Sequence, residues 1–191
     1  MKKNMTAQIK LSGDQLKEFF KVAKPFMSTE EARYYLCGIY FEMDGSQLLG
    51  TATNGHILIN QELESTPIEG EFTNFILSRA DVDRLSKSFP KESDVILTQE
   101  DSGELMFDFF DFKYRCYPVN GTYPDWRTAL PKERKMKSTG LKAKYLKAAL
   151  TALKDKPVNI EATADESCAQ VFTSDEAEGM LCVVMPMKSG Q

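Results

Sequence analysis

Residues 33–63 have the sequence RYYLCGIYFEMDGSQLLGTATNGHILINQEL. This segment contains three strand-like apolar runs, at 34–43, 48–53 and 56–63. Asp44-Gly45 and Asn54-Gly55 separate the runs, and such dipeptides favour tight hairpin turns because both residues accept a positive φ. The segment therefore predicts three antiparallel strands that follow one another in chain order.

The residues before this segment predict a strand and a helix. Residues 9–11 alternate between apolar and polar, and Ser12-Gly13-Asp14 is a typical helix start. Four apolar residues then recur at helical spacing: Leu16, Phe19, Phe20 and Ala23. Residues 7–64 therefore form a first unit, made of one strand, one helix and three strands.

The same order of elements occurs twice more, at residues 71–131 and 137–188, without repetition of the residues themselves. The second predicted helix carries three apolar residues on one side: Val82, Leu85 and Phe89. The third carries four: Leu146, Ala149, Leu150 and Leu153. Three strand-helix-strand-strand-strand units predict an α+β fold with antiparallel sheets and with the helices on one face.

The composition is that of a soluble globular protein. Of the 191 residues, 42% are apolar and 27% are charged. The longest strongly apolar run, residues 180–187, is too short to span a bilayer. Residues 6–10 lack the apolar stretch that a signal peptide needs. We therefore expect a cytoplasmic protein with no membrane partner.

The residues that usually hold metals or perform catalysis are dispersed. Four cysteines lie far apart in the sequence, with no C-x-x-C pair: Cys37, Cys116, Cys168 and Cys182. The single histidine, His56, gives neither a metal site nor a catalytic dyad. Asp81/Asp83 and Asp108/Asp111 come nearest to carboxylate clusters, and both fit surface positions. We therefore expect reduced thiols, no metal, no cofactor and no enzymatic activity.

Each predicted helix carries basic residues beside its apolar side. They are Lys17, Lys21 and Lys24 in the first helix, Arg84 and Lys87 in the second, and Lys144, Lys147 and Lys154 in the third. In a chain of formal net charge −4, this segregation suits sequence-independent contact with nucleic-acid phosphates. The alternative is that these side chains only solvate exposed helix faces, and charge alone leaves both readings open.

Four motifs, in order along the chain, resemble those of one family. Residues 33–42, RYYLCGIYFE, and 52–56, ATNGH, resemble the "RYYLNG…FE" and "ATDGHRL" stretches in the middle domain of bacterial DNA polymerase III beta subunits, the sliding clamps. Residues 123–127, YPDWR, with Leu130-Pro131, resemble the family's "FPDYR…LP". Residues 183–188, VVMPMK, resemble its C-terminal "VVMPMRL". The resemblance covers nearly the whole chain.

This resemblance implies the sliding-clamp fold, a ring around duplex DNA with antiparallel sheets outside and basic helices inside. It also implies a non-enzymatic processivity factor, which binds peptides of a DNA polymerase and a clamp loader in an apolar pocket. Residues 1–132 would form one complete clamp domain of two units, like the family's middle domain. Residues 133–191 would form half a clamp domain, like the C-terminal half of the third.

The resemblance also implies two sites. Arg33, Tyr34 and Tyr35 match a family loop that touches DNA; the alternative is that the tyrosines begin a strand and cover the sheet. The partner-peptide pocket would use thirteen residues: Leu36, Thr53, Gly55, His56, Ile57, Leu58, Pro124, Thr128, Ala129, Val183, Met185, Pro186 and Met187. An apolar lining that contains methionine suits the docking of apolar peptides.

Several positions differ from the family pattern. Asn54 replaces the usual Asp, and Ile57 replaces an Arg. Thr128 and Ala129 stand where a basic and an apolar residue are common. Lys188 replaces the terminal Arg, and residues 189–191 extend beyond it. These differences predict a pocket that is less basic than the family's.

The chain holds three units, whereas a ring of this family holds twelve, six from each of two chains. Four copies of this chain would supply twelve units, so we expect a homotetrameric ring. In that ring the third unit would complete a domain by pairing with the third unit of a neighbour, about a two-fold axis. The alternative is a non-ring adaptor or decoy that binds clamp-binding peptides without encircling DNA.

Overall fold

The repeated units build two antiparallel sheets. A computed structural model describes residues 6–89, 93–130, 140–154, 156–162, 169–177 and 179–187. The strands in these residues are β1 (Ala7–Ser12), β2 (Gly38–Asp44), β3 (Gln47–Thr53), β4 (Ile57–Leu63), β5 (Ser65–Glu69), β6 (Phe75–Ser78), β7 (Asp94–Gln99), β8 (Leu105–Phe109), β9 (Phe112–Cys116), β10 (Asn159–Ala162), β11 (Gln170–Thr173) and β12 (Met180–Val184). The α-helices are α1 (Gly13–Ala23), α2 (Arg79–Ser88) and α3 (Ala143–Ala152).

The first two units share their strands. One sheet has the order β5-β1-β7-β8-β9, and the other has the order β10-β11-β12-β4-β3-β2-β6. Strand β1 of the first unit pairs with β7 of the second, and β6 of the second unit pairs with β2 of the first. Because each unit contributes its first strand to the sheet of the other, the two units fold as one body.

The third unit extends the seven-stranded sheet through the pairing of β12 with β4. In this pairing Cys182 lies opposite Ile59, and Val183 lies opposite Leu58. The described residues include three strands and the helix of the third unit. Its predicted first strand, together with Cys168, Pro131, Lys188 and residues 189–191, lies outside the described residues.

The helices cover one face of the sheets and bury their apolar sides there. Ser12 begins α1 and Ser78 begins α2, and each serine hydroxyl accepts a hydrogen bond from a backbone N–H of the first turn. Phe19 of α1 packs edge-on against Phe41 of β2, with ring centroids 6.4 Å apart. A Cβ on Gly50 of β3 would lie 2.3 Å from the Phe19 ring, so a glycine is required for this contact.

Three local predictions were wrong. Residues 31–36 form 3-10 turns rather than the start of a strand, since the Cys37 N–H donates to the Tyr34 carbonyl and β2 begins only at Gly38. Strand β5 was not predicted, because its largely exposed residues lack an alternating pattern. Leu150 lies outside the core, with 36% of its surface exposed. No helix in the described parts of the chain is long and apolar enough to cross a membrane.

Candidate nucleic-acid interface and peptide pocket

The three α-helices form a layer that carries most of the predicted basic residues. Helix α1 lies between α2 and α3 and contacts both. Lys21, Lys87, Lys144 and Lys147 are exposed on this layer. A depression of about 520 Å³ between α1 and α3 is lined by Lys21, Lys144, Lys147 and Lys154. The fold therefore brings together basic residues that are more than 120 residues apart in the sequence.

Three of the basic residues predicted to contact DNA bind residues of, or next to, a neighbouring helix. The Lys17 ammonium donates a hydrogen bond to the Phe89 carbonyl, at 2.6 Å. Lys24 follows the last turn of α1 and pairs with Asp83 of α2, at 2.6 Å. Lys154 follows α3 and pairs with Glu18 of α1, at 3.1 Å. Exposed ion pairs of this kind stabilise a fold by about 1 kcal/mol or less, so they mainly orient the helices.

Arg84 lies at the end of the layer that adjoins β9. Its guanidinium donates to the Tyr114 hydroxyl, at 3.2 Å, and lies 3.8 Å from the Asp81 carboxylate. The Tyr114 hydroxyl in turn donates to Asp81, at 2.6 Å. Burial, followed by the hydrogen bond to Asp81, raises the pKa of Tyr114 above its ordinary value. Tyr114 therefore stays protonated and holds Asp81 and Arg84 together.

In the loop predicted to contact DNA, Arg33 is ion-paired and Tyr34 is exposed. Arg33 binds the Glu30 carboxylate through Nε at 2.9 Å and Nη2 at 2.7 Å, and this hydrogen bond lowers the pKa of Glu30. Tyr34 is 52% exposed and packs edge-on against Tyr35, which is half-buried. The tyrosines do not begin a strand, since both lie in the 3-10 turns, but Tyr35 does pack against a cluster that includes Ile76 of β6. Tyr34 is the ring that is best placed to meet a ligand.

A pocket of about 200 Å³ opens beside the joint between β4 and β12. Eleven of the thirteen predicted residues line it: Leu36, Thr53, Gly55, His56, Ile57, Leu58, Pro124, Thr128, Ala129, Val183 and Met185. Leu58 and Val183 face the pocket, whereas the neighbouring pair Ile59 and Cys182 faces the helices. The pocket and the helix layer therefore lie on opposite faces of one sheet.

Pro186 and Met187 do not line this pocket. The Met187 N–H donates to the carbonyl of Gly140, at 2.9 Å, and Met187 is 41% exposed. The chain thus turns away from the pocket after Met185.

Asn54 organises the turn that forms one wall. Its side-chain oxygen accepts hydrogen bonds from the N–H groups of His56 and Ile57, at 3.0 and 3.2 Å. A carboxylate at this position would accept the same bonds, so the change from the family's Asp keeps the turn. The His56 carbonyl accepts from the Met185 N–H, at 2.9 Å, which ties the first unit to the third.

Trp126 and Asp125 also line the pocket, although neither was among the predicted pocket residues. Trp126 packs with Leu58 and Val183 and is only 8% exposed. Its indole N–H donates to Glu42, at 2.8 Å, and the Arg127 guanidinium lies 4.5 Å above its ring. The available signal was that the chain's single tryptophan lies within the YPDWR motif.

The sequence pattern of the family described as "DNA polymerase III beta subunit, central domain" matches residues 10–125. The chain belongs to the DNA polymerase III beta subunit family. A beta sliding clamp of Borreliella burgdorferi is 31% identical over 150 residues, which cover 78% of this chain and 36% of that protein. The chain therefore matches only about a third of this sliding-clamp relative's length.

Solved sliding clamps share the fold over nearly the whole chain. The Bacillus subtilis clamp covers 95% of this chain and 64% of its own, with a TM-score of 0.84 at 17% identity. The Borrelia burgdorferi DNA polymerase III subunit beta, in complex with a natural product, covers 96% of this chain and 64% of its own, with a TM-score of 0.81 at 18% identity. The predicted sliding-clamp fold is confirmed.

Since the chain belongs to the DNA polymerase III beta subunit family, which is non-catalytic, it is not an enzyme. In the described residues, no group of three or more His, Cys, Asp or Glu could hold a metal ion. Burial raises the pKa of Cys182 to about 12; burial and the charges of Asp81 and Glu104 do the same for Cys116. Both thiols are therefore neutral parts of the core.

Proposed function

We propose that this chain is a DNA sliding clamp that acts in the cytoplasm. Copies of it close into a ring around duplex DNA, and its pocket holds a DNA polymerase or a clamp loader through a short peptide. The observation that carries this proposal is the placement of an exposed basic helix layer and an apolar pocket on opposite faces of one sheet. A ring needs both surfaces, whereas an adaptor or decoy needs only the pocket.

The basic layer suits DNA because its charges contact phosphates without selecting bases. Lys21, Lys87, Lys144 and Lys147 present flexible ammonium groups rather than a rigid fork, and each can follow a phosphate as the duplex moves past. The Glu30 carboxylate, which already binds Arg33, competes with DNA phosphates for its guanidinium. The layer therefore favours loose, salt-sensitive contact.

The pocket suits an apolar peptide. Its walls come from Leu58, Val183, Met185 and Trp126, and a volume of about 200 Å³ accommodates one or two large apolar side chains. Ile57 replaces an Arg of the family pattern, and Thr128 and Ala129 stand where a basic and an apolar residue are common, so the preferred peptide has fewer acidic residues than the usual family ligand.

The ring we propose is a homotetramer. Residues 1–132 supply one complete clamp domain, and residues 133–191 supply half of another. Strand β10 is the terminal strand of its sheet, and Ile160 on it is 58% exposed. The third unit of a second copy, paired along this edge, would complete the domain and cover that side chain.

Static light scattering over a concentration series tests this assembly. A closed ring predicts four times the chain mass of 21.6 kDa, or about 86 kDa. A mass that stays near that of one chain at micromolar concentration would contradict the ring. In that case the adaptor is left, and peptide binding without dependence on DNA topology would support it.

A further inference from the structure

The three units end in structurally equivalent strands, β4, β9 and β12. In each unit, one residue on the helix-facing side of the last strand can be matched with the residue directly opposite it on the preceding strand. These pairs are Ile59 with Ala52, Tyr114 with Phe107, and Cys182 with Phe172. The first two pairs are separated by the same number of residues along the chain, so the two hairpins correspond residue by residue.

Two of these three strands pair with each other. Strand β4 lies antiparallel to β12, and Ile59 lies opposite Cys182. Since these two residues hold equivalent positions, the joint is symmetric about that pair. Strand β9 is the terminal strand of the five-stranded sheet, and in the part of the chain that the structure describes no strand lies on its outer side.

The free edge of β9 has exposed aromatic side chains at both ends. Phe110 in the hairpin turn is 73% exposed, Phe112 is 45% exposed, and Tyr117 just after the strand is 66% exposed. Phe110 has a φ of 51°, which is rare for a bulky residue, so the turn holds this residue in an uncommon backbone conformation. An unpaired edge with exposed aromatic rings is a surface that soluble proteins normally cover.

We propose that β9 pairs with β9 of a second copy, about a two-fold axis that passes beside Tyr114. This inference rests on the proposed ring, in which the β9 joint would be the second kind of contact between copies. The register of the β4–β12 joint, applied to two β9 strands, places Phe112 opposite Cys116 of the partner subunit. It also brings Phe110 beside residues 117–118 of the partner, so the aromatic rings at the two ends cover each other.

The charges on β9 are compatible with this register. Lys113 lies opposite Arg115 of the partner subunit, which alone would be unfavourable. However, Lys113 already pairs with Asp108 of β8 at 2.8 Å, and Arg115 approaches Glu104, the residue just before β8, at 3.7 Å. The joint therefore contains equal numbers of acidic and basic groups. The contacts between aromatic rings at the ends of the strands then stabilise the pairing of the two β9 strands.

A disulfide cross-link tests the register. In a Lys113→Cys, Arg115→Cys variant each new thiol would face the other new thiol of the partner subunit, within the Cα separation that a disulfide needs. Both positions are exposed, so mild oxidation should give a covalent dimer whose peptide map shows a 113–115 link, and either single variant should lack that link. The matched control is Ile68→Cys, which is 52% exposed on β5 at the other edge of the same sheet. Equal cross-linking by this variant and by the control, or a link other than 113–115, would overturn the proposed register.

Light scattering of a Phe112→Asp variant separates this inference from the ring. If both are correct, the mass falls from four copies to two, while the control Ile68→Asp keeps four. A tetramer that Phe112→Asp leaves unchanged would overturn the β9 joint and keep the ring. A native dimer that the variant converts to monomers would keep the β9 joint and overturn the ring. A native protein that is monomeric at every concentration would overturn both.

Discussion

The imidazole of His56 stacks on the ring of Tyr145, with centroids 5.2 Å apart and planes 11° from parallel. His56 lines the peptide pocket, whereas Tyr145 belongs to α3 of the basic layer. The Lys144 ammonium lies 4.7 Å from the centroid of the Tyr145 ring. One aromatic pair therefore connects the proposed peptide site to a helix that we propose contacts DNA.

Removing this ring should weaken peptide binding. In Tyr145→Ala the wall formed by His56 loses a stacking contact worth about 1 kcal/mol, so affinity for an apolar clamp-binding peptide should fall by about fivefold. Fluorescence anisotropy with a labelled polymerase peptide measures this change. Tyr145→Phe keeps the ring and should bind like the native protein. Equal losses in the two variants would show that the hydroxyl, not the stack, matters.

Reversing one charge in the basic layer should weaken DNA binding without unfolding the chain. Lys147→Glu removes one phosphate contact per copy and adds a repulsive charge, so the salt dependence of affinity for duplex DNA should become shallower by about one unit of slope for each copy that loses its contact. Lys10→Glu makes the same charge change on the opposite sheet face, where Lys10 is exposed and pairs with Asp94. Titrations of both variants at several salt concentrations give the comparison. Similar losses in the two would mean that only net charge is being sensed.

The two methionines near the C-terminal end should behave differently. Met185 lines the pocket and Met187 does not. A charge at Met185 would be buried against the bound peptide, so Met185→Asp should reduce peptide affinity by tenfold or more. Met187→Asp should leave the affinity within about twofold of the native value, because that side chain is already exposed. Isothermal titration calorimetry distinguishes them, and a loss at Met187 alone would relocate the pocket.

Alkaline pH should destabilise the fold through Cys182. Burial raises the pKa of this thiol from 9.0 to about 12. Below about pH 9 the thiol is protonated in both the folded and the unfolded chain, and its contribution is constant. Between about pH 9 and pH 12 the unfolded chain releases a proton that the folded chain keeps, so the free energy of unfolding falls as pH rises, by up to about 1.4 kcal/mol per pH unit.

Urea unfolding at about pH 8 and about pH 10.5 measures this slope. Cys182→Ala should make the decline shallower. Val184→Ala truncates a neighbouring core residue on the same strand and should lower stability at both pH values without changing the slope. A slope that Cys182→Ala leaves unchanged would contradict the assignment.

Local signals in the sequence predicted the hairpins and helices. Gly45 and Gly55 adopt positive φ values of 60° and 86°, in the turns that the Asp-Gly and Asn-Gly pairs predicted. The strand prediction failed at residues 34–36 because this segment forms local turn hydrogen bonds instead: the Arg33 N–H donates to the Glu30 carbonyl, and the Cys37 N–H donates to the Tyr34 carbonyl. Apolar composition alone does not distinguish such turns from a strand.

The roles of single basic residues needed the structure. Lys17, Lys24 and Lys154 share the spacing of the exposed lysines, yet each binds a residue far away in the chain. Trp126 was missed for a similar reason, because its pocket position depends on Leu58 and Val183 being brought together by the β4–β12 pairing. Spacing identifies a face of a helix, but only the packed chain shows which side chains on it are free.

Encirclement of DNA is the central claim, and an end-blocking experiment tests it without a clamp loader. A linear duplex is fixed to a bead at one end, incubated with the protein at low salt, and then blocked at its free end with a bulky protein before a wash at moderate salt. A ring that has threaded onto the duplex should stay on the blocked DNA and leave when the duplex is cut between the two ends. Equal loss from blocked and open DNA, or retention after the cut, would contradict encirclement.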